Sequence, residues 1–244
     1  MCIRDSVFGK WSRPNYNTVV ATFCYNISRE LEIQINDPAH QMTLVYIDEV
    51  VRCFLRHLDP EASPKLTEQV DETFEISVGE LADRIRTIHN IRGSLKMPDV
   101  SDKFNKYLYT TYLSQLPHDQ FSYPATIRND ERGWLFELIK SDHFGQIFVS
   151  TTKPGITRGN HYHDTKIEKF CLIQGSGTIR FRLLECDEII EYPVNDQSIQ
   201  IVDIPPGFTH SIENTGDQNM IVLFWANEIF NPDTTDTYWV PVIQ

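Results

Sequence analysis

The sequence predicts a chain in two parts, an α+β region followed by an all-β sandwich or barrel. Before residue 118 the apolar residues recur mainly at helical spacing. After residue 122 they alternate, or run together, in short segments separated by glycine, proline, aspartate and asparagine. With 244 residues the chain has room for one large domain or two modest ones. We therefore expect domains at 7–118 and 122–244, with the boundary in the polar segment 118–123.

Apolar stripes in the first region predict four helices, which begin near Asn17, Asp48, Ser77 and Ser101. Asp48 is expected to cap the second helix. That helix is expected to bury Val51, Phe54, Leu55 and Leu58. Ser77 and Glu80 form a capping box for the third helix. Residues 32–35 and 42–47 predict short strands, and residues 60–64 predict a turn.

The second region is predicted to contain several short strands, at 134–139, 145–150, 178–183 and 220–225. Many short strands with turn residues between them are typical of a β-sandwich or barrel. Arg180 and Arg182 alternate with Ile179 and Phe181, so both arginines are expected on the side opposite the apolar residues. That side would face either solvent or the mouth of the barrel.

Composition excludes several classes of protein. The formal net charge of -12 disfavours non-specific nucleic-acid binding, which requires a positive surface. No apolar run is long enough to span a membrane, and the start has no signal-peptide pattern. Five scattered cysteines suggest reduced thiols in a cytoplasmic protein. Residues 1–6 fit nothing that follows and are interpreted as a cloning or reading-frame remnant.

Three histidines and a glutamate form a pattern typical of a divalent metal site. His161 and His163 are two residues apart, so on a strand both side chains leave the same face. Glu168 follows after enough chain to turn back, and His210 comes just after a Pro-Pro-Gly corner. Imidazoles and a carboxylate suit Zn²⁺ best, although Fe²⁺ and Ni²⁺ also fit. The alternative is three histidines satisfied by hydrogen bonds.

The same residues carry a resemblance to the cupin family. The stretch Gly155-x5-His161-x-His163-x4-Glu168-x6-Gly175 is similar to the first cupin motif at every fixed position. The stretch Pro205-x-Gly207-x2-His210-x3-Asn214 is similar to the second. One departure is Ile199, where the second motif often begins with a glycine. The resemblance implies a double-stranded β-helix, or jelly-roll barrel, with the four side chains in its mouth.

The first region resembles the carboxyl-terminal substrate subdomain of extended short-chain dehydrogenases that act on nucleotide sugars, through residues 8–16, 44–51 and 76–82. Before residue 130 the glycines are only Gly9, Gly79 and Gly93, which cannot form a dinucleotide-binding turn. The Tyr-x3-Lys spacing of the family occurs only at Tyr162 and Lys166, inside the metal pattern. The resemblance therefore implies a dehydrogenase fragment, with NADPH used only by a longer relative.

Two arginine-containing stretches, 130–137 and 158–162, resemble motifs of the cupins that epimerise deoxysugar nucleotides. That similarity implies that Arg132 and Arg158 hold the diphosphate, a role that suits a permanently charged planar fork. The alternative is that each arginine forms a surface ion pair.

From Phe8 onward, including 203–207 and 236–239, the chain is similar to bifunctional epimerase/reductases of capsule and O-antigen assembly. The resemblance implies a homodimer whose cupin domain epimerises C3 of a UDP-4-keto-6-deoxy-N-acetylhexosamine. In metal-free epimerase cupins the histidine that matches His161 is the base, but a metal ligand cannot also be the base. Lys166, Tyr162 and His143, together with Lys153, are the candidate acids and bases.

Two other functions remain open. One is a cupin that binds a metal without catalysis, as a module for substrate binding or dimerisation. The other is an iron dioxygenase, which shares the ligand set but is disfavoured by the arginine motifs and the dehydrogenase-like first region.

Overall fold

The computed structural model describes residues 6–58 and 70–244, which form two compact units divided between Tyr123 and Pro124. The predicted turn at 60–64 lies outside the described residues, as does the atypical start except for Ser6. Among the described residues, no helix has the length and apolar character needed to cross a lipid bilayer.

The first unit packs helices against a small sheet. Its strands are β1 (Ser6–Phe8), β2 (Gln41–Tyr46) and β3 (Phe74–Ser77). Its helices are α1 (Val19–Ile27), α2 (Ile47–His57), α3 (Val78–His89), α4 (Ile91–Ser94) and α5 (Lys103–Ser114). Strand β2 is central, parallel to β1 and antiparallel to β3. The short helix α4 was not predicted.

The core of the first unit is built by α1, α3 and α5 together with an aromatic cluster on the sheet. Phe8 lies edge-on to Tyr46, with ring centroids 5.4 Å apart, and Tyr107 of α5 stacks on Tyr46 at 3.9 Å. The Ser77 hydroxyl accepts a hydrogen bond from the Glu80 backbone N–H, which satisfies an amide at the start of α3. The Ser77 half of the predicted capping box is therefore confirmed, whereas the Glu80 carboxylate pairs with Arg84.

Two predictions about where secondary structure begins or forms in the first unit are wrong. Residues 32–35 form no strand, because the partly buried Ile33 and Ile35 pack against the helical core and no strand among the described residues pairs with this segment. Helix α2 begins at Ile47, directly after β2, so Asp48 lies in its first turn and does not cap it. Asp48 instead pairs with Lys10, 2.8 Å away.

The apolar stripe on α2 is also exposed and not buried as predicted. The buried residues among those described for α2 are Glu49, Val50 and Cys53. The stripe, which consists of Val51, Phe54, Leu55 and Leu58, is 44–74% exposed. The physical reason is that the described part of the first unit packs against only one side of α2.

A short 3₁₀ helix at His118–Gln120 ends the secondary structure of the first unit. The second unit consists of two sheets. One sheet has the order β10-β9-β12-β7-β14 and the other β11-β8-β13-β6-β5-β4. The strands are β4 (Arg128–Asp130), β5 (Gly133–Ser141), β6 (Gly145–Thr152), β7 (Thr157–Tyr162), β8 (Glu168–Gln174), β9 (Ser176–Leu183), β10 (Ile189–Asn195), β11 (Ile201–Ile204), β12 (Phe208–Asn214), β13 (Met220–Ala226) and β14 (Tyr238–Trp239). All pairings in both sheets are antiparallel.

Alternating side chains from both sheets meet in one apolar core. Phe170 and Phe224 of one sheet, for example, share this core with Ile179 and Ile212 of the other. The predicted fold class, an α+β region followed by an all-β cupin barrel, is confirmed. The assignment of residues 7–118 to a dehydrogenase stays a prediction.

Arg180 and Arg182 do leave β9 on the side opposite its buried apolar residues. Arg180 pairs with Glu191 and Glu213. Arg182 is buried, and its guanidinium donates to three main-chain carbonyl groups, those of Cys186, Pro241 and Val242. The environment of Arg182 is therefore neither of the two expected, because the carboxyl-terminal segment covers it.

Candidate metal centre

The four side chains of the predicted metal set come from both sheets of the barrel. His161 is on β7, and His163 is the first residue after that strand. Strand β12 pairs with β7 so that His210 lies directly opposite His161. Glu168 begins β8 in the facing sheet. The four ligand-type atoms all lie within 4.8 Å of one another.

A bulge in β7 sets the direction of its side chains. The pairing with β12 shifts between His210 and Ser211, and Gly159 and Asn160 both have positive φ, 97° and 60°. A Cβ atom at Gly159 would lie 2.7 Å from the His210 carbonyl oxygen, so the close approach of the two strands requires glycine. Asn160 is the extra, unpaired residue of the bulge. Arg158 lies opposite the buried Ile212, and His161 lies opposite His210, so both side chains are on the inner face of β7.

Unpartnered nitrogen atoms indicate that a cation fits between these side chains. The Nε2 atoms of His163 and His210 are buried and have no hydrogen-bond partner among the described residues. They lie 3.3 and 3.7 Å from Oε2 of Glu168. Ligands about 2.1 Å from a shared zinc ion lie roughly 3–4 Å from one another. Because unpaired buried polar atoms are costly, the donor set fits a divalent metal.

Electrostatics favours the protonation states that a metal requires. Burial, and then the nearby His210 and His163, lower the pKa of His161 to about 4. Burial alone would raise the pKa of the Glu168 carboxyl. The two imidazoles beside it and Lys166 have the larger, opposite effect, so the pKa lies below its usual range. At neutral pH His161 is thus a neutral imidazole and Glu168 a carboxylate, the forms that coordinate metals.

Of the candidate acids and bases, Lys166 is the one in contact with this cluster. It is buried, and its Nζ lies 3.3 Å from Oε1 of Glu168. Tyr162 alternates with His161 along β7 and stacks on Tyr238, with ring centroids 5.0 Å apart. His143 lies in the exposed turn between β5 and β6. The exposed Lys153 donates its backbone N–H to the Arg132 carbonyl.

The two predicted phosphate-binding arginines converge on Asp130. Arg132, half exposed, donates Nε and Nη2 to Oδ2 of Asp130 at 3.0 and 2.5 Å. Arg158 is largely buried, lies 3.8 Å from Asp130, and donates to Thr151 and Thr152. The hydrogen bond from Arg132 is the main reason that the pKa of Asp130 falls to about 2. The expected alternative, ion pairing, is thus present, but two guanidinium groups share one carboxylate and leave one positive charge in excess.

Asp236 contacts the metal set although the sequence suggested no role for it. It lies just before β14, and its backbone carbonyl accepts a hydrogen bond from His163. The resemblance to the bifunctional epimerase/reductases includes 236–239 but implies no role for Asp236. Since 73 residues separate the two positions, no local spacing could have paired them.

Comparison with known proteins places the chain among polysaccharide-biosynthesis proteins. The model of the family described as polysaccharide biosynthesis C-terminal domain matches residues 128–238. Over 233 residues the chain is 46% identical to UDP-2-acetamido-2,6-beta-L-arabino-hexul-4-ose reductase of Pseudomonas aeruginosa, covering 96% of this chain and 63% of that protein. It is 25% identical over 123 residues to the spore coat polysaccharide biosynthesis protein SpsL of Bacillus subtilis, covering 46% of this chain and 82% of SpsL.

Among solved structures, the chain is similar to the capsular polysaccharide assembling protein CapF of Staphylococcus aureus. One CapF structure matches with 44% identity and a TM-score of 0.92, covering 98% of this chain and 65% of CapF. A second crystal form gives a TM-score of 0.93 at the same identity and covers 70% of that chain. This chain thus spans less than two thirds of the Pseudomonas relative and about two thirds of CapF. The resemblance seen in the sequence is confirmed, and the chain belongs to the CapF family of capsular polysaccharide assembling proteins.

Proposed function

We propose that the chain takes part in making precursors of capsular or related polysaccharides, and that its second unit epimerises C3 of a UDP-4-keto-6-deoxy-N-acetylhexosamine. The observation that carries the proposal is the cluster of three histidines and a glutamate inside the same barrel as the partly buried Arg158. The name of the Pseudomonas relative supports the substrate class, because a hexul-4-ose is a sugar with a ketone at C4.

The proposed reaction is the removal of the proton on C3 and the return of a proton to the opposite face of the same carbon. This proton is acidic because C3 is adjacent to the C4 ketone, and its removal transfers negative charge to the ketone oxygen. His161, His163, Glu168 and His210 would hold a divalent metal, most suitably Zn²⁺, with one imidazole and one carboxylate already in their coordinating forms. When bound, such a metal supplies a Lewis acid that stabilises charge on an oxygen.

Lys166 is the residue that we assign to proton transfer. A histidine whose lone pair faces a metal cannot also accept the C3 proton, so His161 is excluded from that role. Lys166 is buried beside Glu168, which keeps its Nζ at the edge of the metal set. Of the other three candidates from the sequence, Tyr162 and His143 lie outside the cluster and Lys153 is exposed.

The arginine pair would hold the diphosphate of the nucleotide sugar. Arg158 is fixed by Thr151 and Thr152, so it is oriented before any ligand arrives. Arg132 is half exposed and can move toward a ligand. The excess positive charge over Asp130 favours an anion at this place. A diphosphate bound there would direct the sugar along the inner face of β7 toward His161.

Solvent deuterium incorporation tests this function. The purified chain, loaded with Zn²⁺, would be incubated with the UDP-4-keto-6-deoxy-N-acetylhexosamine in D₂O, and exchange at C3 followed by NMR. Exchange at C3 supports the epimerase. Bound ligand without exchange favours the non-catalytic binding module, and oxygen consumption with an iron-loaded sample would favour a dioxygenase.

A matched pair of lysine variants sharpens this experiment. Lys166→Met should abolish C3 exchange while the nucleotide sugar still binds. The substitution keeps roughly the length of the side chain but removes the amino group that would transfer the proton. Lys169→Met is the control, since Lys169 is an exposed residue of β8 that pairs with Asp203. If both variants exchange at the wild-type rate, Lys166 does not transfer the proton.

A further inference from the structure

The carboxylate of Asp236 holds the turn that joins two members of the metal set. Its Oδ1 accepts from the backbone N–H of Asp164 at 2.9 Å. Its Oδ2 accepts from the backbone N–H groups of Thr165 and Lys166, each at 2.7 Å, and from the Thr165 hydroxyl at 3.0 Å. These three consecutive amides lie between His163 and Glu168, so one carboxylate fixes most of the connection between two metal-type side chains.

The main chain of the same residue fixes the orientation of His163. Nδ1 of His163 donates to the Asp236 carbonyl oxygen at 2.5 Å. A carbonyl can only accept, so the proton of a neutral His163 is on Nδ1 and its lone pair is on Nε2. Nε2 is the buried, unpartnered atom that faces Glu168. Asp236 therefore sets both the position of the turn and the tautomer of the ligand.

The segment that carries Asp236 is anchored independently of its carboxylate. Strand β14 pairs with β7, and Trp239 lies opposite His161. The Thr209 hydroxyl of β12 donates to the Val240 carbonyl. Arg182 of β9 donates to two more carbonyls of the segment. Removal of the Asp236 carboxylate should leave the segment in place and release only the turn 164–166.

We propose that Asp236 is a positioning residue for the metal centre. Its carboxylate holds the turn between His163 and Glu168 at the spacing a metal requires, and its carbonyl directs Nε2 of His163 toward the ion. Groups that orient metal ligands in this way typically change metal affinity by about 10–100-fold when they are altered. This inference rests on the metal binding proposed above.

The test compares two aspartate-to-asparagine variants. Asp236→Asn keeps the shape of the side chain and the backbone carbonyl that accepts from His163. It replaces one carboxylate oxygen by an NH₂ group, which cannot accept from the backbone N–H groups of the turn. Asp196→Asn is the control: Asp196 also accepts from a backbone N–H, that of Gly175 at 2.8 Å, at the opposite end of β8 from Glu168. Zn²⁺ affinity is measured by competition with a chromophoric chelator, and thermal unfolding of each metal-free variant is recorded in parallel.

We expect Zn²⁺ affinity to fall about 10–100-fold in Asp236→Asn and to remain at the wild-type value in Asp196→Asn. The visible absorption of bound Co²⁺ should also change in Asp236→Asn, because the ligand geometry changes. An unchanged affinity and Co²⁺ spectrum in Asp236→Asn overturns the inference, as does an equal loss in both variants. If Asp236→Asn does not fold, Thr165→Val, which removes one of the four bonds, should weaken binding about fivefold. An unchanged affinity in Thr165→Val then overturns it.

The outcomes separate this inference from the function on which it rests. If the wild-type protein binds no Zn²⁺, the metal centre itself is wrong. If the wild type binds Zn²⁺ and Asp236→Asn binds it equally, only the role of Asp236 is wrong.

Discussion

His161 occupies an environment that keeps its imidazole neutral. Burial, followed by the neighbouring His210 and His163, lowers its pKa from 6.5 to about 4. Between these two values the unfolded chain binds a proton that the folded protein does not. This residue therefore leaves stability unchanged above pH 6.5 and reduces it as the pH falls toward 4.

We expect His161 to make the metal-free protein less stable at pH 5 than at pH 7.5, by about 2 kcal/mol in the free energy of unfolding. Urea unfolding of the metal-free protein at both pH values measures the difference. His161→Gln, which cannot titrate, should show a smaller loss. The same loss in both proteins would mean that other groups cause the acid sensitivity.

His210→Ala should lose most of the bound metal, because it removes one of the four proposed ligands. Changes to groups that only orient a metal ligand already cost about 10–100-fold in affinity, and the loss of a ligand should cost at least as much. Metal analysis after purification without chelator, for the wild type and the variant, measures this. The control is His40→Ala, in an exposed position of the first unit. If the wild type carries no stoichiometric metal and added Zn²⁺ does not raise its melting temperature, there is no metal site, and His161 becomes the better candidate base.

At the scale of single elements, the bulge in β7 determines which side chains share the interior of the barrel. Arg158 and His161 are three residues apart, so in a regular strand their side chains would leave opposite faces; because Asn160 is bulged out of the pairing, they leave the same face. Gly159 permits the bulge because its φ is 97° and the β12 backbone approaches closely. The bulge therefore links the candidate phosphate-binding residue to the candidate metal centre.

Gly159→Ala should destabilise the protein by roughly 1–3 kcal/mol, through backbone strain and contact with the His210 carbonyl. It should also weaken Zn²⁺ binding, because β7 and β12 carry His161 and His210. The matched control is Gly155→Ala, which has a φ of 72° but open space around its Cβ position. Denaturant unfolding and Zn²⁺ titration of both variants check this. Equal effects in the two would show that strain alone matters and that the close approach does not.

For the whole molecule, each unit has its own apolar core, and the first unit differs in presenting a continuous apolar stripe on one helix. The second unit has a core shared by two sheets. The first unit has a three-stranded sheet and exposes the stripe Val51, Phe54, Leu55 and Leu58 on α2. Large exposed apolar stripes favour local unfolding or association.

Limited proteolysis should therefore cut the chain before about residue 120 and leave a resistant fragment close to 124–244. Mass spectrometry of the products as a function of time identifies the cleavage sites. The resistant fragment should retain its Zn²⁺, which shows that it is folded. Uniform resistance along the whole chain would contradict the expected difference between the units.

The purified 244-residue chain should not bind NADPH, because its sequence contains no glycine-rich dinucleotide turn and its only Tyr-x3-Lys spacing lies within the metal pattern. Titration of NADPH fluorescence against the chain measures this. Saturable binding with turnover of a 4-keto sugar would contradict the prediction. A positive control is a longer family member assayed under the same conditions.

The sequence by itself determined features that depend on neighbouring residues. Alternation and helical spacing predicted most of the strands and helices, because these patterns reflect which face of an element is buried. Ser77 and Glu80 are three residues apart, so their cap at α3 could be predicted from the sequence alone. The spacing also singled out the three histidines and Glu168, which do lie together, although their role as metal ligands stays a prediction.

Only the tertiary structure decided features that depend on distant partners. Residues 32–35 have the alternation of a strand, but none of the strands that the structure describes pairs with them. Helix α2 is apolar on a side that the described part of its unit does not cover. Asp236 reaches the turn after His163 across about 70 residues of chain. Arg182 is covered by carbonyl groups of the carboxyl-terminal segment. Local patterns record which side of an element is apolar, whereas the identity of the group packed against it depends on the folded chain.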